Sequence, residues 1–149
     1  MFSKKFLYGK DTLTYVSALK ISNDELKSEI GNEEIKKINT SRENIKNVLK
    51  SNQMIYGINT GFGALCNTII SNKDSNLLQE NLLKSHAVGV GPNVPTEVSK
   101  LMLIIKVHSL CMGFSGIRLA VIQRICWHIE NDIIPIVPSQ GSVGASVIH

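Results

Sequence analysis

Three stretches of the chain hold the residue types that do chemistry. Residues 56–63 read Tyr-Gly-Ile-Asn-Thr-Gly-Phe-Gly, three glycines around one tyrosine, one asparagine and one threonine. Tyr56 is the acid–base candidate there. A phenol with a free pKa of about 10 needs positive charge or hydrogen-bond donors beside it before it works near neutrality. Phosphate binding fails on spacing, because neither GxGxxG nor a glycine loop followed by Lys-Ser/Thr occurs. By pattern alone this stretch is a helix-connecting loop with Tyr56 as a packing residue. The second stretch is Ser85-His86, near the C-terminal end of a predicted helix. A helix C-terminus favours the imidazolium, yet a lone histidine on an apolar helix is more often a satisfied core residue, so location does not decide its role. The third is residues 135–149, PIVPSQGSVGASVIH. Its small residues Ser139, Gly141, Ser142, Gly144, Ala145 and Ser146 let a backbone bend tightly and approach other groups closely. The G-x-S-x-G elbow is absent and no acid or histidine is obviously paired with these serines, which argues against a serine nucleophile. The Ile- and Val-rich approach points to a buried segment delivering this loop into an interior, where we expect the chemistry.

Other chemistries are disfavoured. His108, His128 and His149 show no metal-ligand spacing. Cys66, Cys111 and Cys126 are an odd count without a CxxC pair. That argues against a disulfide scaffold and a zinc site, and for a reducing compartment, the cytoplasm. The start, MFSKKFLYGKD, has too short an apolar run for a signal peptide, and the run Leu101–Leu110 is interrupted by Lys106 and His108, so no membrane span is expected. The net charge of +4 comes mainly from scattered lysines with no basic stripe interleaved with aromatics, which does not favour nucleic acid as a partner.

The elements that must position these residues are mainly helical. A chain of 149 residues with 43% hydrophobic and 5% aromatic residues is one domain with an Ile/Leu/Val core. Residues 1–31 are expected to form a short β/helix start. It comprises a β-hairpin turning at Tyr8-Gly9-Lys10-Asp11, a helix from Thr14 to Lys20, and a second short helix opened by the capping-box spacing Ser22…Glu25 and stopped at Gly31. Residues 32–134 are helices separated by glycine loops. From Asn32 to Ser51, Ile35, Ile38, Ile45, Val48 and Leu49 share one face and the charges, Glu34 among them, fall elsewhere. Helix resumes near Asp74 or Ser75, ends before Gly89 and Gly91-Pro92, and restarts at Pro95 or Thr96. This third long helix is apolar nearly all round from Val98 to Cys111, as a helix in the middle of a bundle is. Helices so apolar are expected to pack against parts or partners beyond this chain. A further helix spans Ile117 to Asn131, and residues 135–149 form the terminal loop.

Taken together, YGINTGFG, QENLLKSHAVGVGP, the GFSGIRL of residues 113–119 and VPSQGSVGAS closely resemble the aromatic amino-acid ammonia-lyases, most strongly the histidine ammonia-lyases among them. The resemblance covers nearly the whole chain, in the family's order and spacing, and matches the family's N-terminal portion. It implies the mainly α lyase fold and an electrophile made from the protein's own backbone. An Ala-Ser-Gly tripeptide cyclises with loss of water to a methylidene-imidazolone, and no external cofactor or metal is needed. The substrate amine adds to this group, a base takes a β-proton, and ammonia leaves an α,β-unsaturated acid. For histidine the product is trans-urocanate. The resemblance assigns Ala145 and Ser146 to the tripeptide and Tyr56 to acid–base chemistry near the substrate. His86 goes to the substrate side, with Asn59 and Gly63 beside it, and a Ser-His pair there is typical of enzymes that take histidine. Asn59, Thr60 and Gly61 also shape the loop, and Arg118 is structural or an ion-pair former. Family members are homotetramers.

One position departs from the family. Where Gly-Asp-Leu follows Ala-Ser in the family, Val147-Ile148-His149 stand here. A β-branched valine is the wrong residue for a nitrogen that must fold back onto a carbonyl two residues earlier. The chain as given is therefore expected to form no prosthetic group and to have no lyase activity alone. Two other readings stand beside it: a non-catalytic helical module assembling with a full-length lyase, and a fragment of a phenylalanine- or tyrosine-directed lyase or aminomutase.

Overall fold

The computed structural model describes residues 5–50 and 75–141. In chain order the elements are β1 (Phe6–Tyr8), α1 (Tyr15–Ser22), β2 (Ser28–Ile30), α2 (Asn32–Lys50), α3 (Ser75–His86), β3 (Val90–Asn93), α4 (Thr96–Cys111), α5 (Leu119–Glu130) and β4 (Pro138–Gln140). The fold is mainly α, as expected. No helix among the described residues is long and apolar enough to cross a membrane. The chain divides into two compact units, Met1–Lys46 with Val94–Ile136, and Asn47–Asn93 with Val137–His149.

The first unit holds the core. Phe6 and Tyr8 point to the same side of β1, stack edge to face at 5.7 Å, and are buried with Ile38, Ile104, Val107, Cys111 and Ile122. The expected N-terminal β-hairpin is not what forms. The turn is real, since Lys10 and Asp11 N–H both donate to Leu7 O and Asp11 Oδ2 accepts from Leu7 N–H. Beyond it the chain goes into a helix instead of a second strand. Thr14 caps α1 reciprocally with Ser17, a capping box that outweighs the weak alternation of Thr12-Leu13. β1 then pairs with β2 in parallel, Phe6 opposite Ser28 and Tyr8 opposite Ile30, which requires a crossover, and α1 supplies it.

The second short helix is also absent. Ser22 ends α1, Asn23 is its C-cap, and Asp24 takes φ +63°, the left-handed conformation that closes helices. Glu25 and Leu26 N–H both donate back to Lys20 O, so the capping-box spacing at Ser22 lies on a helix end. α2 runs as expected, but Glu34 is not on the solvent face. Its side chain is 1% exposed, close against Gly31, with Oε1 accepting from Lys37 Nζ at 3.3 Å.

Two further contacts lock the first unit. Gly9, at φ +77°, lies so close over the end of α4 that a Cβ would stand 2.6 Å from the Cys111 carbonyl carbon. Its N–H donates to His108 Nδ1 at 3.2 Å. The loop of residues 113–116 seats on α2 in a similar way. Gly116 N–H donates to Ser41 Oγ at 3.0 Å, Arg42 Nη1 donates to Gly116 O at 3.2 Å, and a Cβ on Gly113 would stand 2.8 Å from Lys37 Cβ.

Candidate functional site

The side chains expected to do chemistry lie largely outside the described residues: Tyr56, Asn59 and Gly63 in one stretch, Ala145, Ser146 and Val147 in the other. His86 is the last residue of α3. What the second unit does describe is the frame around these stretches. Four residues after His86 the chain enters β3, and β4 ends five residues before Ala145. The two strands pair antiparallel, Val90 opposite Gln140 and Asn93 opposite Pro138. The backbone leaving the Ser-His motif is thereby tied to the backbone entering the terminal loop, across about fifty residues of sequence.

The glycines after His86 make that pairing possible. A Cβ on Gly89 would stand 2.9 Å from Pro138 Cγ, and one on Gly91 would stand 3.1 Å from Ser139 Oγ. Gly91 also has φ +87°, a conformation that side chains resist, and the ladder is irregular between Val90 and Asn93. Neither strand was expected from the sequence. Each is short and exposed and carries a proline, Pro92 or Pro138, which removes the alternation that marks a strand. The one legible signal was that HAVGVGP and VPSQG both combine glycine or proline with valine.

The remaining candidates have structural work. The GFSGIRL motif is the α2-docking loop described above followed by the start of α5, where Arg118 is the exposed N-cap and forms no salt bridge with a described residue. Burial pushes the Cys111 thiol up to about 12 and Cys126 to about 11, which makes both poor nucleophiles. Burial likewise raises the Tyr8 hydroxyl to about 12 although Ser28 Oγ donates to it, so Tyr8 is no acid–base group. His108 is held below the ordinary histidine range by burial, and its Nδ1, accepting from Gly9, belongs to a neutral ring. His128 Nδ1 lies 2.9 Å from Ile133 O and ties the end of α5 to the segment beyond it. Among the described residues no group of three or more His, Cys, Asp or Glu could hold a metal ion.

Comparison with known proteins agrees with this frame. The family model for aromatic amino acid lyases matches residues 13–147. The histidine ammonia-lyase of Shewanella woodyi is 42% identical over 135 residues, 91% of this chain and 26% of the relative. The crystal structure of histidine ammonia-lyase from Trypanosoma cruzi superposes with a TM-score of 0.79 at 31% identity, over 94% of this chain and 27% of that one. Tyrosine aminomutase from Streptomyces globisporus superposes with a TM-score of 0.84 at 26% identity, over 93% and 26%. The chain thus spans about a quarter of the length of the relatives it matches. Within that span the match runs through every described element from α1 to β4, and the chain belongs to the aromatic amino acid lyase family.

Proposed function

We propose that the chain carries the first portion of a histidine-directed lyase framework, whose reaction is the non-oxidative deamination of L-histidine to trans-urocanate and ammonia. The observation that carries the reading is the 42% identity to a histidine ammonia-lyase across 91% of this chain. In this reading Tyr56 serves as the acid–base group near the substrate, with His86, Asn59 and Gly63 on the substrate side. An imidazole at His86 suits an imidazole substrate, since each neutral ring offers one donor and one acceptor. Ala145 and Ser146 take the first two places of the electrophile tripeptide. The β3–β4 pair, which links the segment after His86 to the approach to Ala145, supports a joint role for the two stretches. The substrate is a small amino acid, the compartment the cytoplasm and the family's assembly a homotetramer.

The residues present do not fit the methylidene-imidazolone itself. Val147 stands at the third position, where ring closure needs an unhindered backbone nitrogen. No step through that group is assigned to this chain, and the chain by itself is inactive in this reading. Intact mass spectrometry of the purified chain should show no loss of two waters; that loss would overturn the assignment. The substrate is tested in a chimera in which this chain, carrying Val147→Gly, replaces the aligned portion of the Shewanella woodyi enzyme. Urocanate from L-histidine, followed by its ultraviolet absorbance, should form faster than the unsaturated acids from phenylalanine or tyrosine. The opposite preference would favour the second reading, a phenylalanine- or tyrosine-directed lyase or aminomutase, which the likeness to tyrosine aminomutase supports.

A further inference from the structure

Helices α1 and α5 stop in the same way. Each is followed, after its C-cap asparagine, by an aspartate in the left-handed conformation, Asp24 at φ +63° and Asp132 at φ +54°. Both stops line one cavity of about 610 Å³ within the first unit, a size that suits a small molecule. Its apolar wall is Ile21 and Ile129, each 5% exposed, with Leu26 beside them. The charges around it come in pairs with one left over. Asp24 holds Lys27 at 2.5 Å, Asp132 holds Lys100 at 2.8 Å, and Lys5 is taken by Glu29 at 2.6 Å. Glu130, the last residue of α5, also lines the cavity and forms no salt bridge with a described residue. It stands at the negative end of the helix dipole, where a carboxylate is disfavoured until a cation joins it.

Lys100 differs from the other lysines of the cavity. Its side chain is 13% exposed, against 70% for Lys27 and 55% for Lys5. An ammonium so desolvated needs its three donors met, and among the described residues it has one hydrogen bond, to Asp132. Asp24 is held below the ordinary carboxylate range by Lys27 first and by Lys100 as well, so Lys100 lies near both aspartates. An unpaired carboxylate, a nearly buried ammonium with donors to spare and an apolar wall complement one kind of small molecule. We propose that this cavity binds a free α-amino acid, its ammonium on Glu130, its carboxylate on Lys100 and an uncharged side chain against Ile21, Leu26 and Ile129. A simple anion would leave Glu130 unpaired, a simple amine would leave the Lys100 donors unmet, and an apolar ligand would strand both. None of these residues is among those assigned to deamination, and the proposal does not rest on that assignment.

The test is titration of the purified chain with L-leucine, followed by calorimetry and by amide chemical shifts. Saturable binding is expected, with shifts concentrated at the ends of α1 and α5. Two analogues divide the head group: 4-methylpentanoate lacks the ammonium and 3-methylbutylamine lacks the carboxylate. Each should bind about tenfold more weakly or worse, the loss of one charged contact. Glu130→Gln should weaken leucine by about the same factor and leave 4-methylpentanoate unchanged. Lys100→Met, which keeps the aliphatic stem, should weaken leucine and 4-methylpentanoate together and leave 3-methylbutylamine unchanged. Circular dichroism establishes that both variants fold, and should Lys100→Met fail to fold, the exposed Glu130→Gln decides alone. The absence of saturation by leucine up to about 10 mM would make the cluster an ion-pair junction only and overturns the proposal. So does binding that either analogue matches, or that Glu130→Gln leaves unchanged. Binding is the readout and no turnover is involved, so the cavity can take an amino acid where histidine deamination fails.

Discussion

Replacing Gly9 by alanine should destabilise the first unit by about 2–4 kcal/mol. The backbone there has φ +77°, and an L-residue in the left-handed region costs about 1–2 kcal/mol. The added methyl would stand 2.6 Å from the Cys111 carbonyl carbon, 2.7 Å from its oxygen and 2.8 Å from its Cβ, well inside van der Waals contact. Backbone at a helix end yields less readily than a side-chain tip, and forced overpacking of this kind costs about 1–3 kcal/mol. Displacing the turn also strains the hydrogen bond from Gly9 N–H to His108, worth about 1 kcal/mol. Against these stands a gain of about 0.4–1 kcal/mol from the stiffer unfolded chain. At about 2–4 °C per kcal/mol for a chain of this size, the midpoint should fall by about 6–12 °C for a loss of about 3 kcal/mol. Thermal and urea unfolding followed by circular dichroism measure it, with Lys10→Ala as the control. That neighbour's ion pair with Glu33 is exposed, and its loss should shift stability only marginally. A Gly9→Ala chain within about 0.5 kcal/mol of the parent would refute the close docking of β1 on α4.

Three further outcomes follow from the same contacts. Ser41→Ala leaves the buried Gly116 N–H without its acceptor and should cost about 1–3 kcal/mol in urea unfolding, whereas a neutral result would mean the loop does not hang on α2 through that bond. His108 has its pKa lowered by burial, so between its folded value and the ordinary value of about 6.5 the unfolded chain binds more protons. Its contribution to stability is complete above about pH 6.5 and is lost as pH falls through the folded pKa. The stability difference between the parent and His108→Gln should therefore shrink on acidification, and a difference independent of pH would remove His108 from the account. Gly91→Val places a branched side chain at φ +87° beside Ser139 and should open the β3–β4 pair. Faster hydrogen exchange across both strands, with α4 and α5 unchanged, is the expected signature, and unaltered exchange in the strands would count against the pairing.

The sequence by itself determined the long helices and the family. α2, α4 and α5 follow from apolar spacing and from the glycines and prolines that end them, which are local signals. The cap of α1 at Thr14 was legible for the same reason. The four glycine-bearing motifs revealed the family because their order and spacing persist whatever each motif does. Tertiary structure decided what periodicity cannot carry. Parallel pairing of β1 with β2 joins residues on either side of a helix, and β3 with β4 joins segments about fifty residues apart, so neither pairing has a local signature. Glu34 sits by charge among solvent-facing residues, yet the fold closes over it beside Gly31. The glycines of GFSGIRL and HAVGVGP found their meaning only in the partner each backbone approaches, Lys37 and Ser41 on α2 for one, Pro138 and Ser139 on β4 for the other. A glycine in a sequence announces freedom of backbone, and the packed chain alone shows which close approach uses it.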